Sequence, residues 1–414
     1  MHCLSSRQRL PERPILRRCL SILILFVYGP VSAETLDRAR VIELARLQSP
    51  MVRLAVARAG ETLALRVGAR TPTAPNPEIG ISVGPRALPT GTIVDVVGSL
   101  VIPLDLSGAS GMRAREADQR ARVAEAETDN ARRLAIADAL DGWVAVLGSR
   151  ERVGLEIERV RLDEALWTSA RARREAGTIG EFDLQLASVL RADGRARLQR
   201  AEGAHEAAII SLCARLGLSL TEPVRVVGTL GADPAPTLDA LLTSLARRPD
   251  RVAAELNVGV ADTDAVLQRR LGTPAPRLTA TGGRDSELFV RLGVDLPLPV
   301  YQRNQTALAV ANAHQTTAAI ARVIGVMSTE AELRGAHATY VAARRAFATL
   351  DAATSSMTDA EHLAQRSYEL GQTTLANLVV ARRETSNARA AHLDAKILLA
   401  HLRVALDAAA GADQ

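Results

Sequence analysis

The chain is written twice. "TLDRARVIELARLQSPMV" from Thr35 is matched by "TLDALLTSLARRPDRV" from Thr237. Pro50 and Pro77 recur 199 residues on as Pro249 and Pro276, and Pro103 and Gly177 recur 194 residues on as Pro297 and Gly371. A tandem duplication restricts the fold to two copies of one unit. The second copy is five residues shorter between its matched prolines.

That deletion falls where each half predicts a β-hairpin. In the first half "EIGISV" puts Ile79, Ile81 and Val83 on one face; after a turn over "GPRALPTGT", the return run puts Val94, Val96, Leu100 and Ile102 on one face. In the second half Leu278 and Ala280 alternate with Thr279 and Thr281, and "GGRDS" supplies a shorter turn. Leu288, Val290, Leu292, Val294 and Leu296 then oppose Phe289, Arg291, Gly293 and Asp295. A period of two with unlike sides is that of a strand between two different media. Each return strand has about nine residues, enough to cross a bilayer when tilted. Four strands cannot close a membrane barrel, which needs about eight, and an open edge cannot sit in lipid. Either the hairpins stay in water or several chains pool their strands, and closure alone does not choose two chains over three. Pro103, Pro297 and Pro299 lack a ladder N–H and end the strands, marking strand-to-helix junctions where the chain leaves the membrane zone.

From about Gly108 to Arg174 there is no proline, and apolar residues recur at helical spacing, as in Leu140, Val144 and Leu147. Such a helix is roughly 100 Å long, more than a compact domain can house. Only 10 aromatic residues and one lysine, Lys396, are present, and small apolar side chains suit closely packed long helices. "REAGTIGEFDLQLA" breaks the first long helix at Gly177 and Gly180, with a return to about Leu216; "YELGQTTLANLVVA" breaks the second at Gly371, with a return to about Ala409. Glycine tolerates the left-handed backbone of helix ends, so both breaks are expected to be tight tips between antiparallel helices.

Residues 1–33 read as an export signal: five arginines, the apolar run "CLSILILFVYG", then "VSA" ending at Ala33. Its removal takes five arginines and one glutamate from 51 basic and 46 acidic residues, leaving a chain close to neutral and no case for nucleic acid. Of three cysteines only Cys213 survives processing, so no intramolecular disulfide forms, and no lipid-attachment cysteine ends the apolar run. The seven histidines form no HExxH or paired helical spacing, the methionines are scattered, and no phosphate loop is present. No catalytic, cofactor or metal residues are therefore assigned, and an enzyme is not expected.

Two tandem copies of helix, β-hairpin, long helix, glycine tip and helix, behind a signal peptide, resemble the TolC-like family of outer-membrane efflux factors. "LPLPVYQRNQ" is similar to the second-repeat junction of its cobalt-zinc-cadmium branch, whereas "IPLDLSGASGMR" departs from the basic ending common in the first repeat there. The resemblance implies a mainly α fold with a small β part: long coiled-coil helical hairpins plus two β-hairpins, three chains giving one 12-stranded membrane barrel continued by a periplasmic helical tunnel. It divides the chain into a signal peptide over 1–33, a first repeat over 34–230 (hairpin about 78–102, tip about 175–182) and a second over 231–414 (hairpin about 278–296, tip about 369–376).

The function so implied is an exit duct of a tripartite efflux pump for heavy-metal cations, with drugs or type I secreted polypeptides as alternative cargo. A periplasmic coiled-coil structural or adaptor protein is the alternative of another class. The implied partners are two further copies of the chain, outer-membrane lipid, a periplasmic adaptor and an inner-membrane transporter of the proton-driven resistance-nodulation-division type. The adaptor is expected at Gly177 and Thr178 after Ala176, and at Gly371 and Gln372 after Leu370. By spacing from these glycines, Asp183 and Tyr368 match a carboxylate and a tyrosine that close the periplasmic gate. Thr373, Asn377 and Val380 replace charged residues found in relatives, so an acidic pore ring is not expected.

Overall fold

The computed structural model describes residues 34–71, 76–89, 91–231, 234, 236–285 and 287–411. The export signal expected over 1–33 lies outside them.

A short strand β1 (Glu34–Leu36) leads into α1 (Arg38–Gln48) and α2 (Pro50–Ala69). The first hairpin, β2 (Glu78–Leu88) and β3 (Gly91–Pro103), precedes the long helix α3 (Ala109–Glu175) and its return α4 (Glu181–Leu216). A second short strand, β4 (Val224–Val226), ends the first half, and α5 (Leu238–Ser244) opens the second, which repeats the plan with α6 (Pro249–Leu271), β5 (Arg277–Asp285), β6 (Glu287–Asp295), α7 (Gln305–Ala352), α8 (Thr354–Glu369) and α9 (Leu375–Ala410).

At 67 residues, α3 is about 100 Å long, as its unbroken periodicity predicts. Its start is fixed by Asp105, whose carboxylate accepts from the amides of Ser110 at 2.6 Å and Ala109 at 3.2 Å, donors that the first helical turn leaves without partners. The second copy's long helix is interrupted at Ala353, where no proline or glycine announces it. There the Ala353 amide turns to the Leu350 carbonyl and the Thr354 hydroxyl to that of Asp351, side-chain and 3₁₀ bonds that compete with the α-ladder.

The helices pack through small residues. Ala121, Ala139, Ala170, Ala187 and Ala410 are fully buried, and a Cβ at Gly148 on α3 would lie 2.8 Å from Ile397 on α9. Glycine there lets the second half's return helix approach the first half's long helix. Larger side chains concentrate at mid-length, where Leu36, Leu44, Leu140, Trp143, Leu147 and Leu212 form one core and Leu241, Leu333, Tyr340, Leu399 and Leu406 a second. The parallel pairing of β1 with β4 closes the first of these, with Leu36 opposite Val226.

The hairpins join in one antiparallel sheet of order β2-β3-β5-β6. Both expected turns are corrected. "GPRALPTGT" is mostly strand, since Pro85 pairs with Val94 and Leu88 with Gly91, and the "GGRDS" residues Gly282 and Gly283 pair with Val290 and Phe289. Proline and glycine look like turn formers, but Pro85 lies in β2, a strand with a ladder partner on one side, which is where a sheet tolerates proline.

The register sets the chemistry of the sheet. Ile79 faces Leu100, Leu100 faces Ala280, and Ala280 faces Leu292; Ile102, Leu278 and Val294 form the next row. Both copies thus put their apolar alternation on the same face. Ser82, Asp95, Ser99, Thr279, Thr281 and Arg291 share the other. Among the described residues no helix is long and apolar enough to cross a bilayer.

Candidate functional site

The two features that do not serve packing lie at opposite ends of the molecule: the sheet's bare apolar face and the helical tips. Leu288, Val290 and Leu292 are 83%, 74% and 77% exposed. Burying so regular an apolar face is worth about 1.5–3 kcal/mol per large side chain, so it is a surface made to be covered. The sheet also ends in two unpaired edges, β2 and β6. Apolar cover and edge pairing are both satisfied when sheets from several chains close in lipid.

Each tip is a left-handed helix stop built the same way. Gly177 and Gly371 have φ of 71° and 74°. The Thr178 amide reaches back to the Arg173 carbonyl at 2.9 Å and the Gly177 amide to Arg174 at 3.0 Å; in the other tip Gln372 reaches Ser367 at 2.8 Å and Gly371 reaches Tyr368 at 3.0 Å. This double bond pattern consumes the last carbonyls of α3 and α8. Nothing lies within 4 Å of a Cβ placed on either glycine, so both tips present bare backbone to their surroundings. Across the first turn Arg174 pairs with Glu181 at 3.1 Å. Hydrogen bonds from Gln185 and then Arg174 hold the Glu181 carboxyl below its usual range.

The tips are tied together by Arg173, a residue the sequence did not single out. Its guanidinium lies 4.5 Å from the centroid of the Tyr368 ring and reaches the Glu369 carbonyl at 3.3 Å. It therefore ends α8 as well as neutralising the C-terminal end of α3. Tyr368 itself is buried with Leu166, Leu375 and Leu378.

Further from the tips, a cavity of about 660 Å³ separates the two helical hairpins, lined by Leu166, Leu190, Val379, Asp163 and Arg382. Burial raises the pKa of Asp163 and lowers that of Arg382. Position 194 leaves room for the Asp163 carboxylate: a Cβ there would stand 2.6 Å from its oxygen.

By overall shape the chain is similar to the outer-membrane channel OprN, with a TM-score of 0.77 at 20% identity over 90% of this chain and 89% of that one. The chain has the fold of the TolC-like outer-membrane channels. CusC gives 0.76 at 17% identity over 90% and 91% of the two chains, and the Campylobacter jejuni CmeC outer-membrane channel gives 0.73 at 16% over 99% and 94%. No family model matches the sequence, and no curated protein matches it.

Within this TolC-like fold the junction prolines stand where strand meets helix, though unequally: Pro103 is the last residue of β3, whereas β6 ends at Asp295, two residues before Pro297. The expected bond between Asp183 and Tyr368 is not made within one chain. The Tyr368 hydroxyl is buried without a hydrogen-bond partner, because its ring is turned into the Leu166 cluster, and Asp183 stands half-buried in the first turn of α4, the helix that packs along α3. Gly177 and Thr178 lie in the turn after α3, and Gly371 and Gln372 in the turn after α8.

Proposed function

We propose that this chain is the outer-membrane exit duct of a tripartite efflux pump. The observation that carries the reading is the sheet register, which gathers the apolar residues of both hairpins on one exposed face while leaving both edges open. Three copies pool four strands each into a 12-stranded barrel, and their helical hairpins continue it as a tunnel through the periplasm. The two efflux repeats, 34–230 and 231–414, each supply one hairpin to the barrel and one tip to the tunnel mouth. Energy comes from an inner-membrane transporter of the proton-driven resistance-nodulation-division type, coupled through an adaptor seated on Gly177, Thr178, Gly371 and Gln372.

The cargo in this reading is heavy-metal cations, on the likeness of "LPLPVYQRNQ" to the cobalt-zinc-cadmium branch. A strain lacking the gene, compared with its complemented form, is expected to lose tolerance to cobalt, zinc or cadmium selectively. Sensitivity confined to dyes and antibiotics discards the metal cargo and keeps the duct; no sensitivity to any agent removes the efflux reading.

The gate belongs to the same proposal. Asp183 acts from the first turn of α4, and Tyr368 acts through its ring beneath Arg173 rather than through its hydroxyl. In planar bilayers Asp183→Ala and Tyr368→Ala are expected to raise closed-state conductance, whereas Tyr368→Phe leaves it unchanged. Wild-type conductance in both alanine variants sinks the gate.

A further inference from the structure

In both repeats the apolar alternation outlasts the sheet. In β6 and beyond it, Leu288, Val290, Leu292, Val294, Leu296, Leu298 and Val300 are all between 54% and 83% exposed, although the last ladder pair is Asp295 with Arg277. The first repeat does the same after Pro103, with Leu104 and then Leu106, which is 75% exposed. Leu104 and Leu106 correspond to Leu298 and Val300 by the repeat spacing of 194. Each segment ends in the same tight turn: the Leu106 amide bonds the Leu104 carbonyl at 3.2 Å, and the Val300 amide bonds the Leu298 carbonyl at 2.9 Å. Tyr301 follows, 87% exposed, and then Arg303.

Length gives the extension a purpose. The apolar run from Leu288 to Val294 rises about 20 Å along the strand. At the ~40° tilt of membrane barrels that is about 15 Å of height, short of an apolar band of about 25 Å. At the rise of a strand, Leu296 and Leu298 add at most about 10 Å of height.

Backbone chemistry permits it. A segment outside the ladder carries amides that lipid cannot satisfy. Proline at 297 and 299 removes two of those donors, and the Leu104 amide is satisfied by the Pro276 carbonyl at 2.8 Å.

The geometry points to a lipid-contacting collar below the sheet, in which the side chains of Leu104, Leu106, Leu296, Leu298 and Val300 of each chain lie against phospholipid acyl chains, Asp105 staying turned to the start of α3, and Tyr301 marks the water boundary. The membrane edge then lies past the prolines rather than at them. This rests on the duct reading, and the test separates the two.

With Cys213→Ser as background, single cysteines at Leu106, Leu298, Val290 and Gln372 are spin-labelled, and the full chain is reconstituted in vesicles of phosphatidylethanolamine and phosphatidylglycerol. Collisions with oxygen, which concentrates in acyl chains, are compared with those of a water-soluble nickel chelate. Val290 stands for the sheet and Gln372 for water. The expected result is a several-fold excess of oxygen over nickel at Leu106 and Leu298, as at Val290. A nickel excess at both, with Val290 still in lipid, overturns the collar and leaves the barrel. Shielding from both reagents assigns the surface to a neighbouring chain and also overturns it. A nickel excess at Val290 removes the membrane barrel and the collar together.

Discussion

Leucine at both Gly177 and Gly371 is expected to reduce export to the level of a strain lacking the gene, with the yield of trimers unchanged. The backbone penalty is small: a left-handed residue other than glycine costs about 1–2 kcal/mol, and it falls on the outermost turn of each hairpin. No neighbour lies within 4 Å of the new Cβ at either position, so each side chain starts into open space. The sheet, at the other end of a 67-residue helix, is roughly 100 Å away and does not feel the change. What changes is the surface a docking partner must approach, since two bare backbone turns each gain a branched side chain. Susceptibility testing beside native electrophoresis reads both quantities. Export at wild-type level in the double variant ends the docking role, and loss of trimers shows that the glycines serve the fold instead.

The second large effect is at the other end. Arginine at Val290 or Leu292 is expected to prevent stable assembly in the outer membrane, whereas Ser82→Arg on the opposite face is tolerated. Arginine on a barrel's lipid face costs about 2–4 kcal/mol near the midplane, where Leu292 lies, and less toward the rim where Val290 lies, so three copies of the Leu292 variant in the proposed trimer bring roughly 6–12 kcal/mol. That is the size of a whole domain's stability. Ser82 shares its face with Asp95 and Arg291, so a charge there meets a wet, polar surface. Fractionation with heat-modifiability on gels measures both variants. Normal trimers carrying Val290→Arg would place that face in water and remove the barrel.

The architecture was legible because duplication supplied a second copy of every clue. Matched prolines and glycines bracketed the hairpins and tips, and the helix limits expected at Leu216 and about Ala409 fall within a residue of those observed. What was illegible depends on contacts between distant segments. Pro85 sits in a strand because of where β2 lies in the sheet, which its neighbours in sequence do not reveal. The interruption at Ala353 has no strong local breaker. At the tips the glycines could be read, since a positive φ leaves its mark on composition. The Arg173 tie could not, because its ring partner is in the other repeat.

The parallel pair of β1 and β4 also has a consequence for the order in which the chain matures. Leu36, fully buried, has its strand partner Val226 only at the end of the first repeat, and Arg150 on α3 holds that partner by bonds to the carbonyls of Val226 and Gly228. During vectorial delivery the amino-terminal end therefore waits, unclasped, until the last strand of the first repeat arrives. The first repeat is thus closed by its own two ends, and its last strand works as the buckle.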